Sequence, residues 1–359
     1  MGIPAYLSYI IRNYPGIVRA FRRDRGVDGD GGAAEHMYFD TNSIVYDAYR
    51  QLQEEPDAVI NDTTIIDKVI SQLEHLIAQI CPTKTIFIAL DGVAPFAKIS
   101  QQRQRRFRSA AGGTAVSSDI FSTIKITPGT EFMKMLSVRL SRHFSGRAGG
   151  AIVSGSDIPG EGEHKIFEHI RSTTAAPTDT YVIYGLDADL IMLSINHLYI
   201  SKNIFIFRET PVFGSAIENQ KAASATPPPY TILNVSKLAK NIEIHTRADP
   251  QSYIFLCFLL GNDFLPHFPA LNLRTNGMDI LLESYKKHAT PSTPLIKNGR
   301  IQWRILSKLL RDIAASEQEL FIEKTRDRDR LEKKYKHIAP QDGVDPELHM
   351  PVVNRELEK

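Results

Sequence analysis

The sequence predicts an α/β fold with a mainly parallel central sheet flanked by helices, and three observations carry that prediction. Short apolar runs recur along the chain, they alternate with amphipathic helical stretches, and nearly every run stops at an acid. Met37-Tyr38-Phe39 leads into Asp40, Thr85 to Leu90 into Asp91, and Tyr181 to Tyr184 into Gly185-Leu186-Asp187-Ala188-Asp189. Phe255 to Leu260 leads into Gly261-Asn262-Asp263, and Glu161 and Glu163 follow Pro159-Gly160. Apolar runs of this length read as strands buried on both faces, although the run before Asp263 is long enough to be a helix. Alternation of strands with helices argues for a doubly wound sheet.

Taken in order, residues 4–20 hold Tyr6, Leu7, Ile10, Ile11 and Tyr14 at helical spacing, ended by Pro15-Gly16. Asp24 to Ala34 is a glycine-rich loop, and the strand into Asp40 follows. Residues 64–80 form an amphipathic helix whose stripe is Ile65, Ile66, Val69, Ile70, Leu73, Leu76, Ile77 and Ile80. Next come the strand into Asp91, a basic helical segment from Lys98 to Arg108, and a weakly structured patch from Ala110 to Ser118. A helix over Glu131 to His143 precedes the strand Ala151-Ile152-Val153. Ala222 to Pro229 reads as a flexible surface insertion. The charged run from Glu317 to His337 is helix-prone, which separates a 1–316 domain from a 317–359 segment. Trp303 is expected to be a packing residue.

Composition bounds the chemistry. At 359 residues the chain can bury a large core. Lys and Arg number 43 against 41 Asp and Glu, so no global basic field marks a nucleic-acid partner. Locally, no acid falls between Gly92 and Ser118, where Lys98, Arg103, Arg105, Arg106 and Arg108 cluster. Cys81 and Cys257 lack metal-ligand spacing and imply a reducing compartment without a disulfide-linked partner. No apolar stretch is long enough for a bilayer, and the N-terminus lacks a secretory layout, so no membrane is expected. The expected setting is intracellular, the cytoplasm before the nucleus. Oligomeric state stays open.

In an open α/β sheet, ligands bind at the carboxyl ends of the strands, so Asp40, Asp91, Glu161, Glu163, Asp187, Asp189 and Asp263 should converge there. Converging carboxylates repel one another, and an all-oxygen cluster suits hard divalent ions, Mg²⁺ or Mn²⁺, which recruit phosphate. Any one of these acids could instead cap a helix, and Glu161 and Glu163 could simply favour a helix N-terminus. Their number in matching contexts favours a metal site. On a helix, Lys98, Gln102, Arg105 and Arg106 share one face, a suitable grip for a terminal phosphate beside that site. A solvated basic helix, or a nuclear-import patch, is the plainer alternative. His164 and His169 are five apart, off one helical face, which argues against zinc.

These motifs together resemble one family. Met1-Gly2-Ile3-Pro4, Phe39-Asp40-Thr41-Asn42, Asp91-Gly92-Val93-Ala94-Pro95 and Gln101 to Arg108 occur in order. Ile126 to Met133, Pro159 to Lys165, Tyr184 to Met192 and Gly261 to His267 complete the set. From Met1 to about Leu320 the chain resembles the N-terminal conserved region of the eukaryotic 5′-to-3′ exoribonucleases, the XRN family. The resemblance implies a PIN-like, flap-nuclease-like α/β domain with two divalent cations held by the seven carboxylates. It also implies that Lys98, Gln102, Arg105 and Arg106 grip the 5′-monophosphate of single-stranded RNA. The reaction implied is two-metal hydrolysis that releases nucleoside 5′-monophosphates.

Two departures stand out. The family has a stacking histidine six residues after its first aspartate, where this chain has Tyr46, expected to stack on a leading base. The family also has a second conserved region further on, so this chain reads as a fragment or a reduced member, with a shorter spacer over Ala110 to Lys125. A flap-type DNA nuclease would need a duplex-gripping helical hairpin after the last acids, and the sequence has none. A catalytically dead RNA-binding protein would be expected to have lost some acids, whereas all seven are present.

Overall fold

The structure, a computed structural model, describes residues 6–111, 121–147, 151–174, 176–210, 228–273 and 276–336. Within its helices, the side chains of 105, 106, 108–111, 324, 327, 328 and 331–336 are outside that description. The Met1-Gly2-Ile3-Pro4 motif, most of the Ala110 to Ser118 patch, nearly all of the Ala222 to Pro229 insertion and the residues after Lys336 therefore lie outside the described residues.

The chain runs α1 (Tyr6–Asn13), β1 (Val18–Ala20), β2 (His36–Asp40), α2 (Asn42–Glu54), α3 (Asp62–Ile80) and β3 (Thr85–Ala89). It continues with α4 (Phe96–Ala111), α5 (Glu131–Phe144), β4 (Ala151–Ser154), α6 (Gly162–Ser172), β5 (Tyr181–Tyr184), α7 (Asp189–Asn196) and β6 (Ile204–Glu209). Then come β7 (Tyr230–Asn234), α8 (Val235–Thr246), α9 (Pro250–Phe258), α10 (Gly277–His288), a small β8–β9 hairpin (Ile296–Lys297, Arg300–Ile301) and α11 (Trp303–Lys336).

Seven strands form one sheet in the order β1-β7-β6-β5-β2-β3-β4. The run from β4 to β6 is parallel, and β7 and β1 add antiparallel at one edge. Side chains alternate between faces along each strand, so each strand feeds two cores. Tyr38, Tyr181 and Ile183 pack on one face with α1, α6 and the helices from α7 to α11. Met37, Phe39, Val182 and Tyr184 pack on the other with α2, α3 and α5. Burial on both faces is why β2 and β5 are uninterrupted apolar runs. The α3 stripe is buried as expected, except for a half-buried Ile70.

Two elements, the Phe255 to Leu260 run and Trp303, resolve or correct the sequence reading. The Phe255 to Leu260 run is not a strand: Phe255 to Phe258 belong to helix α9. Asp249 caps that helix by accepting a hydrogen bond from Ser252 N at 3.0 Å, and Pro250 opens it. Trp303 is 70% exposed at the start of α11, whose core contacts come from Leu306, Leu309 and Ile313 instead. Helix α11 also runs without a break through positions 316 and 317. Among the described residues no helix is long and apolar enough to cross a membrane, and Cys81 and Cys257 are free thiols.

Candidate active site

Parallel registration levels the strand ends. Asp40 pairs with Ala89 across β2 and β3, and Phe39 pairs with Tyr184 across β2 and β5. Asp40, Asp91 and the Asp187-Ala188-Asp189 segment therefore leave the sheet side by side. Glu161 is the N-cap residue of α6 and Glu163 lies in its first turn, while Asp189 opens α7. The positive ends of these two helix dipoles point at the same edge and favour acids there. Glu161 nevertheless makes no side-chain capping bond. Asp263 arrives from the other side, on the turn after α9.

Backbone packing is tight where these segments meet. A Cβ on Gly92 would sit 1.8 Å from the Ile158 carbonyl oxygen, and one on Gly162 would sit 2.6 Å from Asp40 Oδ1. Only glycine allows the first approach, which is to backbone, and a side chain at the second would displace the Asp40 carboxylate. Gly162 N donates to Asp91 Oδ1 at 2.7 Å, so Asp91 satisfies an otherwise orphaned amide of α6. Asn42 holds the other side of Asp91: its Nδ2 donates to Oδ2 at 2.8 Å, and its Oδ1 accepts from Asp91 N at 3.0 Å. Buried Lys165 donates to the carbonyls of Leu90 at 2.7 Å and Gly155 at 2.8 Å, which braces the ends of β3 and β4. Arg208 does the same for the Asp187 segment, donating to Leu186 O at 3.0 Å. None of these positioning roles was read from the sequence. Asn42 and Lys165 stood inside recognised motifs without a role, and Arg208 carried no signal at all.

The seven acids fall into distinguishable environments. Oxygens of Asp40, Glu163 and Asp187 all lie within 4.8 Å of one another. Burial, then Asp91 and Asp187, push the Asp40 carboxyl well above its usual range. Burial, then Asp40 and Asp189, do the same to Glu163. Asp91 is raised by burial against the pull of the Gly162 amide, and Asp189 is pushed up to about 6 by burial, with Asp263 and Asp187 adding. Asp263 differs. Burial alone would raise it, but hydrogen bonds from Lys98 and Gln101 outweigh that and hold it low. Lys98 Nζ lies 2.6 Å from Glu161 Oε1 and 2.9 Å from Asp263 Oδ2, so its ammonium already bridges two acids. These two bonds raise Lys98 above its usual range despite burial.

Five of the acids, Asp40, Asp91, Glu161, Glu163 and Asp187, line a cavity of about 320 Å³ whose wall also includes Tyr46, Lys98, Gln102 and Ile124, whereas Asp189 and Asp263 do not line it. Tyr46 is 46% exposed, so its ring is presented to the cavity rather than buried in the core. Arg105 and Arg106 follow Gln102 on α4, but their side chains lie outside the described residues. An all-oxygen donor set in which burial, and then neighbouring acids, raise Asp40 and Glu163 is compatible with a divalent cation, which would relieve the repulsion part of that shift.

Fold and site together define a class: an α/β protein with a parallel core and an acid cluster at its strand ends compatible with divalent metal. Within that class the chain belongs to the XRN 5′-3′ exonuclease family. Residues 1–210 match the family's N-terminal region (XRN 5'-3' exonuclease N-terminus), and residues 249–349 match the Xrn1 helical domain. It is 26% identical to 5′-3′ exoribonuclease 2 of Arabidopsis thaliana, an alignment covering 94% of this chain and 42% of that protein. It is 30% identical to 5′-3′ exoribonuclease 1 of Schizosaccharomyces pombe, covering 89% of this chain and 26% of the relative. The chain thus spans less than half the length of these relatives. Among solved structures, the catalytic core of Rad2 in complex with DNA substrate overlays with a TM-score of 0.47 at 15% identity. That overlay covers 88% of this chain and 81% of the other, and is too distant to carry any inference.

Proposed function

We propose that the chain is a 5′-to-3′ exoribonuclease acting on single-stranded RNA with a 5′-monophosphate. The observation that carries this reading is the convergence of Asp40, Glu163 and Asp187 within 4.8 Å, at the floor of a cavity also walled by Lys98, Gln102 and Tyr46. The names of the relatives support the substrate class. In the reaction, water adds to the phosphorus after the first nucleotide and the bond to its 3′ oxygen breaks. The products are a nucleoside 5′-monophosphate and a shortened RNA with a new 5′-monophosphate, so the next cycle starts from an equivalent end.

Two divalent cations, Mg²⁺ or Mn²⁺, would be held by the seven carboxylates, with Asp40, Glu163 and Asp187 central. When bound they supply activation of water and neutralisation of charge at the phosphodiester. The chain's own residues set the geometry. Asn42 and the Gly162 amide orient Asp91, Arg208 and Lys165 anchor the strand-end loops, and Lys98 holds Glu161 and Asp263 together. Gln102, Arg105 and Arg106 on α4, with Lys98 at its start, offer donors to the terminal phosphate, and a pocket fitted to one phosphate disfavours capped or triphosphorylated ends. The test is digestion of 5′-monophosphate, 5′-hydroxyl and 5′-triphosphate RNA and of a flapped DNA duplex, each with Mg²⁺ and with EDTA. Mg²⁺-dependent release of mononucleotides from the 5′-monophosphate RNA is expected. Preferential cutting of the DNA flap would overturn the reading.

A further inference from the structure

The acid cluster has a second mouth. A separate cavity of about 430 Å³ opens between α7, α9 and the β8–β9 hairpin, with Phe255, Phe258 and Phe264 among its apolar walls. Its polar end is made by Glu163, His164, Asp189 and Asn262, so Glu163 borders both cavities. At this end His164 Nδ1 stands 3.7 Å from Glu161 Oε2, too far for a hydrogen bond. Both atoms are buried, and neither has a hydrogen-bond partner among the described residues. Glu161 as a whole is only 4% exposed. Its other oxygen is taken by Lys98, so Oε2 is the atom left facing the imidazole.

Unsatisfied polar atoms in a buried setting are costly, and two of them facing one another call for a shared partner. One ligand atom each from Glu161, Glu163 and His164 fall within 4.8 Å of one another. Ligand atoms roughly 2.0–2.2 Å from one ion necessarily stand about 3–4 Å apart, which matches the His164 to Glu161 gap. The ring is also held in place: Phe264 meets it edge-on with centroids 5.8 Å apart. This donor set differs from Asp40, Glu163 and Asp187 in having a nitrogen. Mg²⁺ binds oxygen almost exclusively, whereas imidazole raises affinity for borderline ions along the series from Mn²⁺ to Zn²⁺.

We infer that Glu161, Glu163 and His164 form a mixed nitrogen and oxygen cation site that favours borderline divalent ions over Mg²⁺ and faces the second cavity. It rests on the reading that the acid cluster binds divalent metal, and adds a nitrogen ligand and a metal preference to it. His164 thereby links ion choice to the α9 side of the molecule, away from the cavity that Tyr46 and Lys98 line.

The experiment uses Mn²⁺ as the probe, on the whole chain without RNA. Pulsed electron paramagnetic resonance reads ¹⁴N coupling to bound Mn²⁺, and a titration reads affinity in competition with Mg²⁺. Imidazole coupling is expected in the unsubstituted protein and in Asp187→Ala, and is lost in both His164→Ala and His164→Gln. The titration should show one Mn²⁺ site weakened about tenfold or more in the His164 variants, with Mg²⁺ binding unchanged. Bound Mn²⁺ without ¹⁴N coupling, or coupling that survives both substitutions, would overturn the His164 site and leave the acid cluster standing. A protein that binds no Mn²⁺ would bring down both readings together.

Discussion

The two ends of the same parallel strands bury carboxylates in opposite ways. At the amino end, before β2, β3 and β5 begin, Asp179 is 5% exposed and accepts hydrogen bonds from His36 Nε2 at 3.0 Å and Lys84 Nζ at 2.8 Å. Burial by itself would raise Asp179, but Lys84 and His36 outweigh it and hold the carboxyl below its usual range. At the carboxyl end, Asp40 faces Asp91, Asp187 and Glu161, and Glu163 faces Asp40 and Asp189, and both are driven up. Asp179 and Glu163 are each 5% exposed, so exposure alone does not separate a structural acid from a functional one. The neighbours do. An acid surrounded by cations is finished as it stands, whereas acids surrounded by acids are finished only by a cation from outside.

The sharpest way to break this contrast is to remove one acid from each end. Asp187→Ala should lose at least about 3 kcal/mol of transition-state stabilisation, about a hundredfold in turnover of 5′-monophosphate RNA, with the melting temperature held or raised. Near-normal turnover at saturating Mg²⁺ would end the comparison. Asp179→Asn should do the reverse, costing about 2–3 kcal/mol in urea unfolding while activity per folded molecule is kept.

Metal should act on one end alone. At a free concentration a hundred times its dissociation constant, Mg²⁺ should add about 2.7 kcal/mol of stability to the unsubstituted protein. EDTA should remove that gain. The increment should shrink in Asp187→Ala and persist in Asp179→Asn, as read by thermal melts with and without the ion.

The pH dependence should have opposite signs at the two ends. Asp179 has a depressed folded pKa, so its contribution is complete above the ordinary value of about 3.9 and fades as the pH falls through the folded one. Asp189 is pushed up to about 6, so the folded protein holds that proton more tightly than the unfolded chain. Metal-free stability from this group should therefore fall as the pH climbs from about 4 to about 6. Urea titrations in EDTA should show Asp189→Asn gaining on the unsubstituted protein over that window, and Asp179→Asn losing ground to it as the pH rises towards about 4, with no further change above that. Slopes of the same sign would contradict the contrast.

The smallest expected effect concerns the rim of the carboxyl end. Stacking of a base on an aromatic ring contributes about 1–3 kcal/mol, so Tyr46→Ala should slow processive degradation about tenfold, and Tyr46→His should be tolerated. Because the ring is 46% exposed, little change in melting temperature is expected. A large thermal loss with unchanged activity per folded molecule would return Tyr46 to the core.

Much of this was legible in the residues alone. Apolar runs marked β2, β3 and β5 because a strand buried on both faces needs no polar alternation, and a short apolar run marked the edge strand β4, whose Ile152 is exposed. The 3.6-residue stripe marked α3 for an equally local reason. The acids after the runs located the site, since a parallel sheet sends the carboxyl ends of its strands to one edge. What stayed hidden depends on which distant residues meet. Phe255 to Phe258 became helix because Asp249 and Pro250 start one there, a choice an apolar run leaves open. Trp303 was exposed because α11 turns other residues inward.

The pairings that separate the two ends of the sheet were equally out of reach. Lys98 meets Glu161 and Asp263, Asn42 meets Asp91, and His36 and Lys84 meet Asp179, all across long stretches of chain. By itself, then, the sequence determined the strands β2, β3 and β5 with their two-sided burial, the α3 stripe and the edge at which the acids gather, because these follow from periodicity and backbone sterics within a few residues. Only the tertiary structure decided which acids received a cation and which were left facing one another, because charge compensation acts through space between groups that the order of residues does not bring together.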